Sequence, residues 1–178
     1  LILKLMNLAP KNIENNDTLL RIAISSKIIS ISLRKRLKPY KNFTGILFSY
    51  QRPIPNLKNL YYKKTIKILK SINSQKEEGI LYKNNLLLEG CTTNIICIAN
   101  KKIFIPKNNY YSGVTMKYLL KLSKRTVKKT NISLSKLKIY DEILLIGSGK
   151  GVVSLSSIPQ IKWKSKSNLV YKEFLNLY

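Results

Sequence analysis

The apolar residues of this 178-residue chain change period several times, and never in the regular strand–helix alternation that builds a parallel sheet. Leu19 to Ser25 and Lys27 to Leu33 alternate in polarity and are rich in Ile, as strands are. Gly45 to Ser49 supplies a third strand. Arg52-Pro53-Ile54-Pro55 then enforces an extended, turn-like stretch, because proline fixes its own φ and restricts the residue before it. Beyond it, Tyr62, Ile66, Leu69 and Ile72 recur at helical spacing as far as Asn73. Strands return at Gly79–Tyr82, Leu86–Leu88, Thr93–Ala99 and Lys102–Ile105, between Asn-rich turns. A second helix starts at Ser112-Gly113 and places Val114, Tyr118 and Leu122 on one face. The pattern closes with a strand at Ile132–Leu134, a helical turn at Ser135–Tyr140, the aliphatic strand Glu142–Ile146, a strand at Val152–Ser156 and a helix from Asn168 to Leu177. The expectation is an α/β fold around a sheet of mixed direction. The chain has no initiator Met, so it is expected to begin partway through a longer protein. Residues 1–40 then belong in part to a preceding domain, with a linker near Lys38 to Asn42.

Composition narrows the chemistry. A hydrophobic content of 44% supports a real core, and Gly and Pro are scarce. A net charge of +25 invites nucleic-acid binding, since a basic surface releases counterions from a phosphate backbone. The charge, however, is spread as Lys among Asn and Ile, with compact clusters only at Arg34 to Lys38 and Lys162 to Lys166 and no recognition module. Histidine is absent, which removes Ser-His-Asp and Cys-His mechanisms and most zinc sites. Cys91 and Cys97 match no metal or redox spacing, so no metal is expected. No apolar run is long enough to span a bilayer, and the opening residues are too soon polar for a signal peptide. A cytoplasmic, reducing location is the expectation.

Four segments carry candidate chemistry. In Pro55-Asn56-Leu57-Lys58-Asn59-Leu60-Tyr61-Tyr62, a lysine stands where a proline-constrained stretch meets a helix. A rigidly held amine of lowered pKa can form a Schiff base with an aldehyde. In Leu86-Leu87-Leu88-Glu89-Gly90-Cys91-Thr92-Thr93-Asn94, a carboxylate ends an aliphatic strand and needs a positive partner if buried. A protonated ring nitrogen of a cofactor would serve. In Ser112-Gly113-Val114-Thr115, the free N–H groups of a helix start suit a phosphate. Gly147-Ser148-Gly149-Lys150-Gly151 lets backbone approach an anion, but it has neither P-loop nor Rossmann spacing. Each has an ordinary reading by itself: an exposed lysine, a locally paired strand-end Glu, an N-cap and a tight turn.

In their order and spacing, the four segments together resemble the class IV aminotransferases, the fold-type IV pyridoxal-phosphate enzymes. That family includes branched-chain and D-amino-acid aminotransferases and aminodeoxychorismate lyase. Lys58-Asn59-Leu60-Tyr61-Tyr62 is similar to its cofactor-lysine segment, with Tyr61 where Asn is usual. Glu89-Gly90-Cys91-Thr92-Thr93-Asn94-Ile95, Gly113-Val114-Thr115 and Gly147-Ser148-Gly149-Lys150-Gly151-Val152 are similar to its later motifs.

The resemblance implies a second-domain fold of that family, a mixed-sheet pseudo-barrel flanked by helices, over residues 41–178. Residues 1–40 would be the tail of the N-terminal domain and the linker. It implies pyridoxal 5'-phosphate as cofactor, carried by Lys58, which would also move the proton at the substrate Cα. Glu89 would pair with the pyridine nitrogen, and Tyr62 would lie beside the cofactor. Gly113, Val114, Thr115 and Ser148 would hold its phosphate, while Asn94 would fix the loop after Glu89. An amino-acid-like substrate and a homodimer of the complete protein are implied as well. Cys91 and the Gly151-Val152 pair lean towards the lyase, which eliminates pyruvate from 4-amino-4-deoxychorismate in folate synthesis. A branched-chain or D-amino-acid aminotransferase is the alternative. A basic nucleic-acid-binding protein and an inactive fragment are the others. Only 57 residues precede Lys58, and their pattern fits the end of the family's first domain and the start of the second, so most of the substrate-reading surface is expected to be missing from them.

Overall fold

In the computed structural model, the segments that alternate in polarity form β-strands. Structure is described for residues 18–36, 38–40 and 42–178, which form two compact units divided between Leu37 and Lys38. In the first unit, β1 (Thr18–Ile24) and β2 (Ile29–Lys35) pair antiparallel. The register sets Leu20 opposite Leu33, Ile22 opposite Ile31 and Ile24 opposite Ile29, so one face of the ribbon is aliphatic over the three pairs nearest the turn. Ser25 fastens the turn, its hydroxyl accepting the Ile28 N–H at 3.0 Å.

The second unit opens with β3 (Phe43–Ser49) and α1 (Lys63–Lys70), followed by β4 (Glu77–Lys83), β5 (Leu86–Gly90), β6 (Asn94–Ala99) and β7 (Lys102–Pro106). Then come α2 (Val114–Leu122), β8 (Val127–Thr130), β9 (Glu142–Gly147), β10 (Gly151–Ile158), the short β11 (Trp163–Lys164) and α3 (Leu169–Leu177). The strands form one sheet in the order β5-β4-β3-β10-β9-β6-β7-β8, with β11 on β10. β3 runs parallel to both β4 and β10, and β7 runs parallel to β8; the other pairs are antiparallel. The mixed direction expected from the irregular order of elements is what forms. The sheet also curls, because the Leu87 N–H of edge strand β5 reaches the Ile132 carbonyl just past β8, at 2.8 Å.

Curling gives every central strand two apolar environments. On β9, Ile143 and Leu145 point into the half-barrel with Phe43, Ile80, Ile95 and Trp163. Leu144 and Ile146 point outward, against Met116 and Leu119 of α2 and Val170 and Phe174 of α3. Consecutive aliphatics in this strand therefore follow from burial on both faces. Each such side chain contributes about 1.5–3 kcal/mol. Glu142, 1% exposed at the start of β9, accepts the Val170 and Tyr171 N–H groups at 3.0 and 2.9 Å and the Ser167 hydroxyl at 2.9 Å. A carboxylate from a neighbouring strand thus satisfies the first N–H groups of α3 and meets the positive end of its dipole.

Three local expectations are corrected. Val114, Tyr118 and Leu122 do share a face of α2, but it is the outward one, 75%, 57% and 42% exposed; Met116 and Leu119 face the sheet. On α1, Thr65 and Ile68 are buried while Ile66 is exposed. The strand expected at Ile132–Leu134 lies instead at Val127–Thr130, where it pairs with β7; Ser133 keeps only an isolated bridge to Leu86. Among the described residues no helix is long and apolar enough to cross a membrane, and no group of three or more His, Cys, Asp or Glu side chains could hold a metal.

Candidate functional site

After β3 the chain cannot continue as strand, because Pro53 and Pro55 lack the N–H that a ladder needs. It folds into a loop fastened by its own polar groups. The Asn59 amide donates to the Pro53 carbonyl at 2.8 Å, the Leu57 N–H to the Ile54 carbonyl at 3.0 Å, and Arg52 Nη2 to the Pro55 carbonyl at 3.2 Å. Ile54 is held at φ 47°, a left-handed conformation that a β-branched residue adopts only when its surroundings enforce it. The loop presents Lys58 to solvent, with Nζ 5.7 Å from the centre of the Tyr111 ring. Exposure is the natural state of an ammonium facing only a ring, since water solvates it better than the ring does.

Glu89 stands at the end of β5 and is 3% exposed. Its partner is Arg52, which donates from Nε to Oε1 at 2.7 Å and from Nη2 to Oε2 at 2.9 Å. The Tyr111 N–H adds a third bond, to Oε2 at 3.0 Å. Burial pushes the Glu89 carboxyl up from its ordinary value, against the opposing pull of the Arg52 guanidinium and the Tyr111 N–H. All three hydrogen bonds are donated to Glu89, two by Arg52 and one by Tyr111, so the geometry is built for the carboxylate form. An ionised carboxylate accepts at about four positions, which leaves one open. Beside the cofactor nitrogen that the resemblance implies as its positive partner, the fold supplies a guanidinium. Arg52 is not among the candidates that the sequence motifs pick out in this lysine-rich chain; an arginine beside a proline-held loop is the signal that points to it. A planar fork is what a bidentate carboxylate contact needs.

Asn94 organises the other side. Its backbone pairs with Ile146 of β9, while its side chain bonds the Tyr111 carbonyl and accepts the Gly113 N–H at 3.0 Å. A Cβ at residue 113 would lie 2.5 Å from Asn94 Oδ1, so this approach requires glycine. Asn94 therefore fixes the entry to α2 rather than the loop after Glu89. Gly113 is the N-cap, and no side chain caps α2. The first N–H groups of the helix, those of Val114, Thr115 and Met116, have no intrahelical acceptor. Val114 is exposed and Thr115 half-buried.

Gly147 to Gly151 forms a hairpin turn between β9 and β10, with Gly151 at φ 71° closing a three-residue loop. Ser148 is exposed at its tip. Gly147 lies against Thr93, whose hydroxyl is buried without a hydrogen-bond partner. Lys58, Glu89 and Gly113 are thus brought together around Tyr111 and Asn94. Tyr62 lies within electrostatic reach of Arg52. Ser148 joins the assembly only through its hairpin. A groove lined by Leu47, Tyr82, Asn85, Leu134 and Ile161 contains none of these residues. Cys91 is buried beside the site; burial first, then the charges of Glu78 and Glu89, push its thiol up to about 12, so it stays a packed thiol and no nucleophile.

A family model for amino-transferase class IV matches residues 5–158. No curated protein matches the chain. Among solved structures, a Brucella abortus aminotransferase bound to the cofactor PLP superposes with a TM-score of 0.78 at 20% identity, covering 99% of this chain and 72% of that one. A Legionella pneumophila protein assigned as a 4-amino-4-deoxychorismate lyase gives 0.71 at 17% identity, covering 84% and 60%. The Escherichia coli branched-chain amino acid aminotransferase gives 0.67 at 19% identity, covering 82% and 53%. The chain thus spans little more than half the length of the last two, and at these identities the likeness is one of fold. With a matching family model over most of its length and that family's curled mixed sheet, the chain belongs to the class IV aminotransferase family.

Proposed function

We propose that this chain is the cofactor-binding part of a pyridoxal-phosphate enzyme, with residues 41–178 as the cofactor domain and residues 1–40 as the tail of a preceding domain and its linker. The observation that carries the reading is the meeting of an amine, a carboxylate and an uncapped helix start around Tyr111. These are the three groups that such a cofactor requires: an amine for its aldehyde, an acceptor for its ring N–H, and donors for its phosphate. When bound, pyridoxal phosphate supplies an aldehyde that condenses with amines and a ring that draws electrons from the substrate Cα.

The residues then divide the work. Lys58 binds the cofactor through Nζ and moves the proton at the substrate Cα. The open acceptor position of Glu89 holds the ring nitrogen protonated, and Arg52 keeps that carboxylate ionised and oriented. The N–H groups at Val114 and Thr115 and the Ser148 hydroxyl hold the phosphate, and Gly113 lets α2 begin close enough to Asn94 to aim them. Tyr62 borders the cofactor beside Arg52. Sodium borohydride reduction of pyridoxal-phosphate-loaded protein is expected to leave the label on Lys58, read by peptide mass spectrometry; a label on another lysine rejects the assignment.

Within the family we favour 4-amino-4-deoxychorismate lyase, giving 4-aminobenzoate for folate synthesis, supported by Cys91 and Gly151-Val152 in the motifs. A branched-chain or D-amino-acid aminotransferase is the second reading, favoured by the aminotransferases among the structural neighbours. The complete protein is expected to release pyruvate from aminodeoxychorismate without added keto acid; amine transfer that requires 2-oxoglutarate would favour the second reading. We place the protein in the cytoplasm as a homodimer. Exposed Leu57, Leu60, Tyr61, Val114 and Tyr118 around the site support a covering partner surface.

A further inference from the structure

Lys150 is the one charged residue in the glycine-rich turn, and a lysine among glycines is the residue type that reaches phosphate oxygens in nucleotide loops. Here its amine turns away from the tip. Nζ donates to Glu78 Oε2 at 2.7 Å, to the Ser74 carbonyl at 3.1 Å and to the Glu77 carbonyl at 3.3 Å. An ammonium has three hydrogens, and all three are used. The Phe43 ring, 4.6 Å from Nζ, covers a further side of the amine. Glu78 is fully buried, and its other partners belong to a different loop: the Thr92 N–H bonds Oε1 at 2.8 Å and the Thr92 hydroxyl bonds Oε2 at 2.9 Å. One buried carboxylate therefore ties the 147–151 hairpin to the turn that joins Glu89 to Asn94.

We infer that Lys150 is a positioning residue whose ion pair with Glu78 fixes the tip carrying Ser148 and Gly149 against the 90–93 turn, so that the tip meets an anionic group in a preset place. Lys150 does not itself bind that group. Leaving Glu78 would strand a carboxylate in the interior, which is why the amine stays where it is. The phosphate at the tip presupposes the proposed pyridoxal-phosphate site, whereas the clamp exists with or without it.

K150M alone leaves the Glu78 charge bare and is expected to melt well below the parent protein. The test therefore rests on the charge-balanced double variant K150M/E78Q, expected to melt closer to the parent than K150M does. Two measurements are made on the parent and double variant. In cofactor-free protein, amide hydrogen exchange at residues 148–151 and 91–93 is expected to quicken about tenfold once these bonds are gone. In binding titrations followed by absorbance, affinity for pyridoxal phosphate is expected to fall about tenfold while affinity for pyridoxal, which has no phosphate, holds. Unchanged exchange overturns the clamp. So does an equal loss for the two ligands, and a loss for pyridoxal phosphate with unchanged exchange would make Lys150 a direct ligand instead. A parent protein that binds no pyridoxal phosphate and gives no Lys58 adduct would defeat the proposed function, and the exchange comparison would still decide the clamp.

Discussion

Arg52→Met is expected to lower the unfolding free energy by about 3–5 kcal/mol, the scale for removing one partner of a buried ion pair. That corresponds to a fall in Tm of roughly 10 °C for a chain of this size. The reason is local to Glu89. Two of its three hydrogen bonds come from the guanidinium, and at 3% exposure the carboxylate has little water to replace them. The loss should shrink in acid, with a definite sign. Burial already holds the folded Glu89 carboxyl above the ordinary 4.5, and without Arg52 it rises further. Between that ordinary value and the raised one, the folded state keeps a proton that the unfolded state gives up. Stability of the variant therefore falls as pH rises through this window and recovers as pH drops below the raised value. Arg52→Met combined with Glu89→Gln should regain much of the loss, because no bare charge remains. Arg52→Lys should regain less, because an ammonium cannot supply the two parallel N–H groups of the fork. Urea unfolding at several pH values measures all four proteins, and equal stability of R52M and the parent would refute the role assigned to Arg52.

Lys58→Ala is expected to lower turnover by at least about 10²–10⁴-fold, the usual range for removing a proton-transferring group, and to abolish the borohydride label. Its effect on stability is expected to stay within about 0.5 kcal/mol, because Lys58 is exposed, with its amine 5.7 Å from the centre of the Tyr111 ring. Two residues on one short loop should thus separate cleanly: Arg52 is read by unfolding and Lys58 by chemistry. Steady-state kinetics of the complete protein beside its unfolding curve makes the comparison. Turnover that survives Lys58→Ala at the parent rate would remove Lys58 from the reaction.

Apart from β8, strand and helix positions were legible because periodicity is a local property. Ile143 and Leu145 face one way and Leu144 and Ile146 the other whatever the partner strand, and the Lys58, Glu89, Gly113 and Ser148 segments kept recognisable spacing. Helix faces were less legible, because α2 carries two apolar stripes. Val114, Tyr118 and Leu122 form one and Met116 and Leu119 the other, and only docking on the sheet decides which is buried.

By itself, then, the sequence determined a mixed sheet with helices, a family, and an amine and a carboxylate worth pairing. Tertiary structure alone decided that Arg52 grips Glu89 across 37 positions and that Lys150 reaches back 72 to Glu78. It also decided that Asn94 ties the start of α2 to the end of β9. The physical reason is that burial sets the cost of an unpaired charge, and a residue's burial depends on elements far away in the chain. No local pattern carries that information, so a lysine that looks like a phosphate ligand in the sequence can be a clamp in the fold.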